Sequence, residues 1–286
     1  MIGGYAVTDL HVHIQPWDMH PQPVNAAMEA GRDDLARIQT YIESPEAFLG
    51  FLDACGIERA AIINYVSPDV MGFTSEVNAW CARYCATAPD RLIAFGSVHP
   101  RFTRNPADET ERVLDLGIRG LKVHPPHQLF QVNDYRTGGP GAGIGEVFRV
   151  AEARGVPVMI HTGTSVFPGA RNVYADPMPA DDVGIDFPRL RVILAHAGRP
   201  LHGDAAFFLA RRHPQFSLDL SGIPPRRLLH HVPRLPEIAD RCLWGSDWPS
   251  PGVADLRKNV EAFLALDLPE DARRSILHGL SANLFP

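Results

Sequence analysis

The chain has 286 residues, of which 45% are hydrophobic and 21% are charged, and its formal net charge is −6 at pH 7. This composition supplies a large core and excludes a disordered chain, while the acidic balance argues against binding to nucleic acid or to an anionic membrane. No apolar run approaches the roughly 18 residues that span a bilayer and no basic segment opens the sequence, so we expect a cytoplasmic protein.

Short apolar segments recur along the whole chain and alternate with helix-compatible segments. Continuous runs of valine, isoleucine, leucine and alanine are typical of parallel strands that helices cover on both faces. Eight such runs predict an α/β fold, a (β/α)8 TIM barrel, in a single domain over residues 1–286. The runs are Ala6–Ile14, Arg59–Val66, Leu92–His99, Gly120–Pro125, Pro157–Gly163, Arg191–Gly198, Phe216–Gly222 and Cys242–Pro249. The helix-compatible segments include Ser44–Cys55, Ser75–Ala88, Pro106–Leu116, Ile144–Arg154, His202–Arg212 and Ala254–Leu264.

An open doubly wound sheet is the alternative architecture. It is disfavoured because polar residues suited to catalysis occur on runs 1, 4, 5, 6 and 8, and a closed barrel would bring these residues to one mouth.

The first run carries Asp9, His11 and His13 at alternate positions. In a regular strand these three side chains project from the same face, and two imidazoles held two residues apart can bind one divalent metal ion. A pair of surface histidines is the alternative interpretation for this pattern alone. Asp9 is expected to be a hydrogen-bond acceptor behind the ligands or a buried structural carboxylate.

Three connections are longer than the few residues usual between elements. They are an insertion over residues 15–43 after the first run, the loop-like segment Pro125–Gly143 after the fourth, and Thr164–Ala180 after the fifth. All three follow strands, so in a barrel they would overhang the carboxyl-terminal mouth and shape a pocket there.

Further ligand-type residues stand at the ends of later runs. His161 ends the fifth run, His196 the sixth and Asp247 the eighth. Imidazole nitrogen together with carboxylate oxygen is the donor set expected for Zn²⁺, with Mn²⁺ or Fe²⁺ as alternatives.

These motifs resemble the amidohydrolase superfamily, and in particular its metal-dependent TIM-barrel branch that includes aminocarboxymuconate semialdehyde decarboxylase. The resemblance is carried by Asp9–His13, Gly120–Pro125, Ile160–Gly163, His196–Gly198 and Gly245–Pro249, in the family's order along almost the whole chain. It implies that His11, His13, His161 and Asp247 hold the metal and that His196 stands close to it. A divalent ion lowers the pKa of bound water from 15.7 toward about 7, Asp247 can accept that proton, and His196 can polarise a carbonyl or move a proton.

Lys122 leaves two interpretations open. In much of the superfamily a lysine of the fourth strand is carbamylated and bridges two metals, whereas the decarboxylase-like branch uses one metal. We favour one metal, with Lys122 binding a substrate carboxylate as an ammonium. The other predicted substrate-binding residues are His124, Arg199 as a guanidinium clamp, and Trp248 at the pocket wall; for each, an ordinary structural role is the alternative.

The sequence therefore predicts a metal-dependent hydrolase that uses activated water on a small anionic lactone, amide or ester. A non-oxidative decarboxylase at the same metal site is the first alternative, and a metal-free or binding-only barrel is the second. The partner is a small molecule, with no nucleic acid and no membrane, and a homodimer is compatible with such a barrel.

Overall fold

A computed structural model, which describes residues 1–250, 253 and 255–286, shows a sheet of eight parallel strands. Each strand pairs with the next in chain order, and backbone hydrogen bonds from Leu10 to Trp244 and from His13 to Trp248 connect the last strand to the first. The predicted (β/α)8 barrel is thereby confirmed. The strands are β1 Thr8–Val12, β2 Arg59–Ile63, β3 Leu92–Gly96, β4 Gly120–Val123, β5 Val158–His161, β6 Val192–Ala195, β7 Phe216–Asp219 and β8 Cys242–Leu243.

Helices follow the strands and cover the outside of the barrel. The described α-helices are Gln22–Glu29, Leu35–Glu43, Pro45–Cys55, Glu76–Cys85, Pro106–Asp115, Pro125–Gln128, Asp134–Thr137, Ile144–Arg154, Ala180–Asp186, Gly203–Arg212, Pro225–His231, Leu256–Leu264, Glu270–Arg274 and Leu280–Leu284. Short 3-10 segments lie at Trp17–Met19, Asn172–Tyr174, His196–Gly198 and Leu235–Arg241, and a π-helical turn at Ser275–Gly279 joins the last two α-helices. No described helix is long and apolar enough to cross a membrane.

Local sequence signals account for where these helices begin. The Ser44 side chain accepts the backbone N–H of Ala47 and Pro45 takes the first helical position, which satisfies one of the free donors at the helix start. That helix ends at Gly56, whose left-handed φ of 78° suits a residue without Cβ. The start predicted at Ala254 for the last long helix lies outside the described residues.

Two hydrophobic cores support the barrel. The larger lies between the sheet and the helices, and the smaller fills the barrel interior with side chains from six strands, closed at one end by Phe285. Lys122 is also buried in the interior, with 1% of its surface exposed. A charged group at that depth requires polar partners, and the carboxyl ends of the strands supply them.

The structure corrects three expectations. The strands are shorter than the apolar runs, because the polar ends of the runs turn out of the sheet to form the site. The segment Pro125–Gly143 is not only loop but contains the two short helices Pro125–Gln128 and Asp134–Thr137. The strict alternation expected from Asp9 to His13 is interrupted, because the pairings Asp9 with Ala60 and Val12 with Ile62 put one extra residue in β1.

Candidate active site

A cavity of about 770 Å³ opens at the carboxyl ends of the strands. Its lining includes His13, Lys122, His161, His196 and Asp247 from the strand ends. All three long connections also reach it, through Gln15 and Met28 after β1, His127 after β4 and Phe167 after β5. The cavity has the size of pockets that bind small organic molecules.

His11 is fully buried behind Asp247, which lines the cavity, and a carboxylate fixes its ring. Its Nδ1 lies 2.5 Å from Asp219 Oδ2 and 3.1 Å from Ser221 Oγ. Burial lowers the pKa of His11 well below its ordinary value, so the ring is neutral. Because the carboxylate can only accept a hydrogen bond, Nδ1 carries the proton and the lone pair of Nε2 points away from Asp219.

Asp247 faces the free nitrogens of both β1 histidines. Its Oδ1 lies 3.2 Å from His13 Nε2 and 3.8 Å from His11 Nε2, while its Oδ2 accepts a 3.1 Å hydrogen bond from Arg199. Burial alone would raise the pKa of Asp247, but its contact with His13 and the guanidinium of Arg199 lower the pKa well below the ordinary value. Asp247 is therefore an ionised carboxylate.

These three residues form a donor set that fits a divalent metal ion. The ligand atoms of His11, His13 and Asp247 lie within 4.8 Å of one another. The Nδ1 of His13 faces the carbonyl oxygen of Ile63 at 3.3 Å, which leaves Nε2 free to bind. Two imidazole nitrogens and a carboxylate oxygen, with a second carboxylate behind one imidazole, match the ligand pattern of zinc and similar ions.

His196 stands beside this donor set on a strained backbone. Its ring centroid lies 4.7 Å from that of His11, and its Nδ1 faces Ser221 Oγ at 2.9 Å and the Ser221 carbonyl at 3.2 Å. Burial lowers the pKa of His196 well below its ordinary value, so the ring is neutral with a free Nε2. His196 and Asp247 have φ angles of 64° and 68°, and strained backbone of this kind is concentrated at functional sites.

His161 is not in either group of close donors that the described residues form. Its Nε2 donates to the carbonyl oxygen of Gly163 at 3.1 Å, and its ring stacks on His124 with 3.7 Å between centroids. His124 stacks in turn on His127 at 3.6 Å. The structure therefore places His161 at the inner end of three parallel imidazoles, next to His196 at 4.6 Å.

Lys122 lies inside the barrel, below the histidines. Its Nζ is 3.4 Å from His11 Nε2 and 3.5 Å from Met159 Sδ. Burial lowers the pKa of Lys122 to about 8, although the carboxylates of Asp219 and Asp247 oppose that shift. Lys122 is therefore an ammonium at pH 7. It faces His11 Nε2, the same atom that faces Asp247.

The prediction that Trp248 lines the pocket is wrong. Trp248 is fully buried and packs among Tyr41, Phe48 and Phe51, with its ring stacked on Phe48 at 6.1 Å. Its place beside Asp247 in the sequence suggested the pocket, but the left-handed backbone at Asp247 turns the next side chain into the outer core. Arg199 and His124, in contrast, both line the cavity.

Sequence reasoning did not identify several polar groups of the site. Ser221 bridges His11, His196 and Asp219, whereas Tyr65 and Ser165 hold the ring of His127. The sequence indicates Asp219, at the end of the seventh run, as a residue that orients a catalytic group or satisfies a buried polar network, and Ser221 stands two positions after it. Asp9 is buried and accepts backbone N–H groups from His11 and Ser246, as expected for a structural carboxylate.

The sequence of this chain matches the amidohydrolase family model over residues 8–286. Among curated proteins, none matches the sequence significantly.

Several solved structures share the fold over nearly their whole length. An uncharacterised TIM-barrel protein of Bordetella bronchiseptica is 23% identical, with a TM-score of 0.76 and 98% of each chain covered. The 2,6-dihydroxybenzoate decarboxylase of Rhizobium is 20% identical, with a TM-score of 0.67 and 98% of each chain covered. The 5-carboxyvanillate decarboxylase of Novosphingobium aromaticivorans, complexed with manganese and a nitrobenzoic acid, is 16% identical, with a TM-score of 0.68 and 99% of this chain and 96% of that chain covered.

Proposed function

Because this chain belongs to the amidohydrolase family, we propose that it is a metal-dependent hydrolase of a small anionic lactone, amide or ester. The observation that carries the proposal is the convergence of the Nε2 atoms of His11 and His13 on Asp247 Oδ1, at 3.8 and 3.2 Å. His13 and Asp247 line the cavity, where an anionic substrate would also meet the cations of Lys122 and Arg199.

In this proposal His11, His13 and Asp247 hold one divalent ion, with Zn²⁺ favoured and Mn²⁺ or Fe²⁺ as alternatives. His161 is proposed as the fourth ligand, and it would use Nδ1 because its Nε2 donates to Gly163. Such an ion supplies Lewis acidity and lowers the pKa of bound water toward about 7.

The residues around this donor set divide the remaining work. Because the pKa of Asp247 is low, its carboxylate is well suited to ligation and is a weaker proton acceptor. The free Nε2 of neutral His196 is the better base, since its Nδ1 is already bonded to Ser221. His196 would take a proton during attack on the carbonyl and return it to the leaving group.

Lys122 and Arg199 are proposed to bind the substrate's anionic group. The Nε of Arg199 is buried and has no hydrogen-bond partner among the described residues, and one Nη atom holds Asp247, so the guanidinium is oriented before substrate arrives. His124 has a buried Nδ1 with no partner among the described residues, while His127 and His161 cover the two faces of its ring. A substrate carboxylate would fit these donors.

Decarboxylation at the same site is the second candidate. Two of the similar structures are described as decarboxylases of aromatic acids, and one of them holds manganese. In that reaction the same cations would hold the carboxylate, and His196 would deliver a proton to the carbon that loses carbon dioxide.

A matched substrate panel tests the proposal. Protein loaded with Zn²⁺ or Mn²⁺ is given aromatic lactones and the corresponding aromatic carboxylic acids, and acid release and carbon dioxide are measured in parallel. We expect acid release from at least one lactone, abolished in His11→Ala and retained in the control His230→Ala on an outer helix. Carbon dioxide release without lactone hydrolysis would replace the hydrolase by the decarboxylase. Turnover or binding that persists in metal-free protein and in His161→Ala would favour the metal-free or binding-only barrel.

A further inference from the structure

The ring of His127 joins two hydroxyl groups on the wall of the cavity. Its Nδ1 lies 2.9 Å from Tyr65 Oη and its Nε2 lies 2.7 Å from Ser165 Oγ. Tyr65 and His127 are buried, with 3% and 1% of their surfaces exposed, whereas Ser165 is half-buried in the connection after β5. All three residues line the cavity.

The surrounding backbone holds this chain of groups in place. Ser67 Oγ donates to the His127 carbonyl, and the side chain of Asn172 bonds both the N–H and the carbonyl of Ser165. The N–H of Phe167 donates to Ser165 Oγ at 3.3 Å. The positions of His127 and Ser165 are therefore held by contacts that do not involve the imidazole nitrogens.

A neutral imidazole between two hydroxyls has two complementary arrangements of hydrogen. Burial lowers the pKa of His127 to about 3, so at pH 7 the ring has a single N–H. If that hydrogen is on Nδ1, it donates to Tyr65 and the tyrosine hydroxyl is free to donate into the cavity. If it is on Nε2, it donates to Ser165, Tyr65 donates to Nδ1, and the serine hydroxyl hydrogen is free.

Tyr65 is the inner end of this chain. Its ring lies 5.0 Å from that of His124, and, besides burial, the charge of Asp247 raises the pKa of the phenol. The phenol therefore keeps its hydrogen at pH 7, and it lines the same cavity as Asp247.

We propose that Tyr65, His127 and Ser165 form a proton relay between the cavity floor and solvent at its mouth. In the proposed hydrolysis His196 returns its proton to the leaving group and the acid product ionises, so one proton must leave the site. From the second arrangement, the product's acid proton passes to Tyr65 Oη as the Tyr65 proton passes to His127 Nδ1. The Nε2 proton passes to Ser165 Oγ, and the Ser165 hydroxyl proton passes to a water molecule at the mouth, which becomes hydronium. One proton thus reaches solvent, and passage of one proton in the opposite direction restores the second arrangement. The role of the relay in turnover rests on the proposed function, whereas its two arrangements do not.

Nitrogen-15 NMR of the histidine rings in the full chain, with no ligand added, tests the two arrangements. The resonances of His127 are assigned by their loss in His127→Gln. In Tyr65→Phe the single hydrogen should lie on Nε2, which keeps its partner, and in Ser165→Ala it should lie on Nδ1, because a buried N–H without a partner is costly. Opposite tautomers in the two variants support the relay. The same tautomer in both variants overturns it, whatever the activity.

Turnover of the anionic lactone coumarin-3-carboxylate provides the second readout. We expect Tyr65→Phe and Ser165→Ala to lower kcat on the order of 10²-fold with little change in KM, and to reduce the solvent deuterium isotope effect. Ser165→Thr, which keeps a hydroxyl, should have the wild-type kcat and isotope effect. Tyr84→Phe is the control, because it removes a tyrosine hydroxyl that is bonded to the Tyr41 carbonyl outside the cavity, and it should change neither value. Unchanged kcat and isotope effect in both relay variants would overturn the relay. If Tyr65→Phe and Ser165→Ala show opposite tautomers but the wild type does not hydrolyse the lactone, the result counts against the proposed function. The hydrogen-bonded chain is then still supported.

Discussion

Replacement of Asp219 by Asn should reduce the affinity of the protein for a divalent ion without unfolding it. Asp219 Oδ1 accepts the N–H of Ser221 at 2.9 Å, so the side-chain oxygen of the introduced amide should keep that position. The NH2 group of the amide then replaces Oδ2, which lies 2.5 Å from His11 Nδ1 in the native protein. The opposite orientation of the amide would place two buried donors against each other, at a cost of about 1–3 kcal/mol.

We expect the substitution to reverse the tautomer of His11. An amide NH2 donates to Nδ1, so the ring must carry its own hydrogen on Nε2, the atom that faces Asp247. Loss of a carboxylate behind a metal-binding histidine typically weakens metal affinity about 10- to 100-fold, which corresponds to about 1.4–2.8 kcal/mol. Because the tautomer is also reversed, we expect the upper end of this range.

The measurement is a titration of dialysed protein with Zn²⁺ and with Mn²⁺ against a competing chelator, accompanied by urea unfolding. Asp181→Asn is the matched control, because Asp181 accepts a 2.7 Å hydrogen bond from His213 on the outer surface of the barrel. Metal affinity in Asp219→Asn within twofold of the wild-type value, in a folded protein, would refute the tautomer argument.

Three further predictions concern packing, substrate and pH. Gly245→Ala should lower metal affinity or destabilise the protein by about 1–3 kcal/mol, because the new Cβ would lie 2.6 Å from Asp219 Oδ1 and 2.8 Å from His11 Cβ. Metal titration and urea unfolding measure the two effects. Wild-type values for both would contradict the close packing. Arg199→Met should raise KM for an anionic lactone about tenfold or more relative to KM for its neutral analogue, since a charge-assisted hydrogen bond to the substrate is lost. Arg226→Met, at the rim of the same cavity, serves as the control. Equal effects on charged and neutral substrates would count against substrate binding by Arg199. Burial lowers the pKa of His99 to about 4, so its contribution to the free energy of unfolding, about 3 kcal/mol, is present above pH 6.5 and is lost as the pH falls toward 4. His99→Asn should weaken this pH dependence of stability in urea unfolding. An unchanged pH dependence would show that His99 does not contribute.

The barrel and the location of its site could be predicted because they depend on periodic features of the sequence. The continuous apolar runs indicated buried parallel strands, and the helix Ile144–Arg154 has the predicted bounds. The ends of the runs pointed to the residues now found at one mouth, since parallel strands of a barrel share the direction of their carboxyl ends. His11, His13 and Asp247 meet there although Asp247 lies 234 positions after His13 in the sequence.

The remaining features depend on backbone geometry that periodicity does not reveal. The extra residue in β1 brings both Leu10 and His11 to the barrel interior, which alternation forbids. The left-handed backbone at Asp247 sends Trp248 into the outer core. The stacking of His124 between His127 and His161 depends on the short helix Pro125–Gln128, in a segment that the sequence predicted to be a loop.

The central claim is that His11, His13 and Asp247 hold one divalent ion at the cavity floor. Anomalous X-ray diffraction at the zinc and manganese edges, from crystals of the loaded protein, tests it most directly. We predict a single anomalous peak within coordination distance of His11 Nε2, His13 Nε2 and an oxygen of Asp247, with Lys122 unmodified. A peak elsewhere, two peaks bridged by a modified Lys122, or no peak in fully loaded conditions would contradict the account.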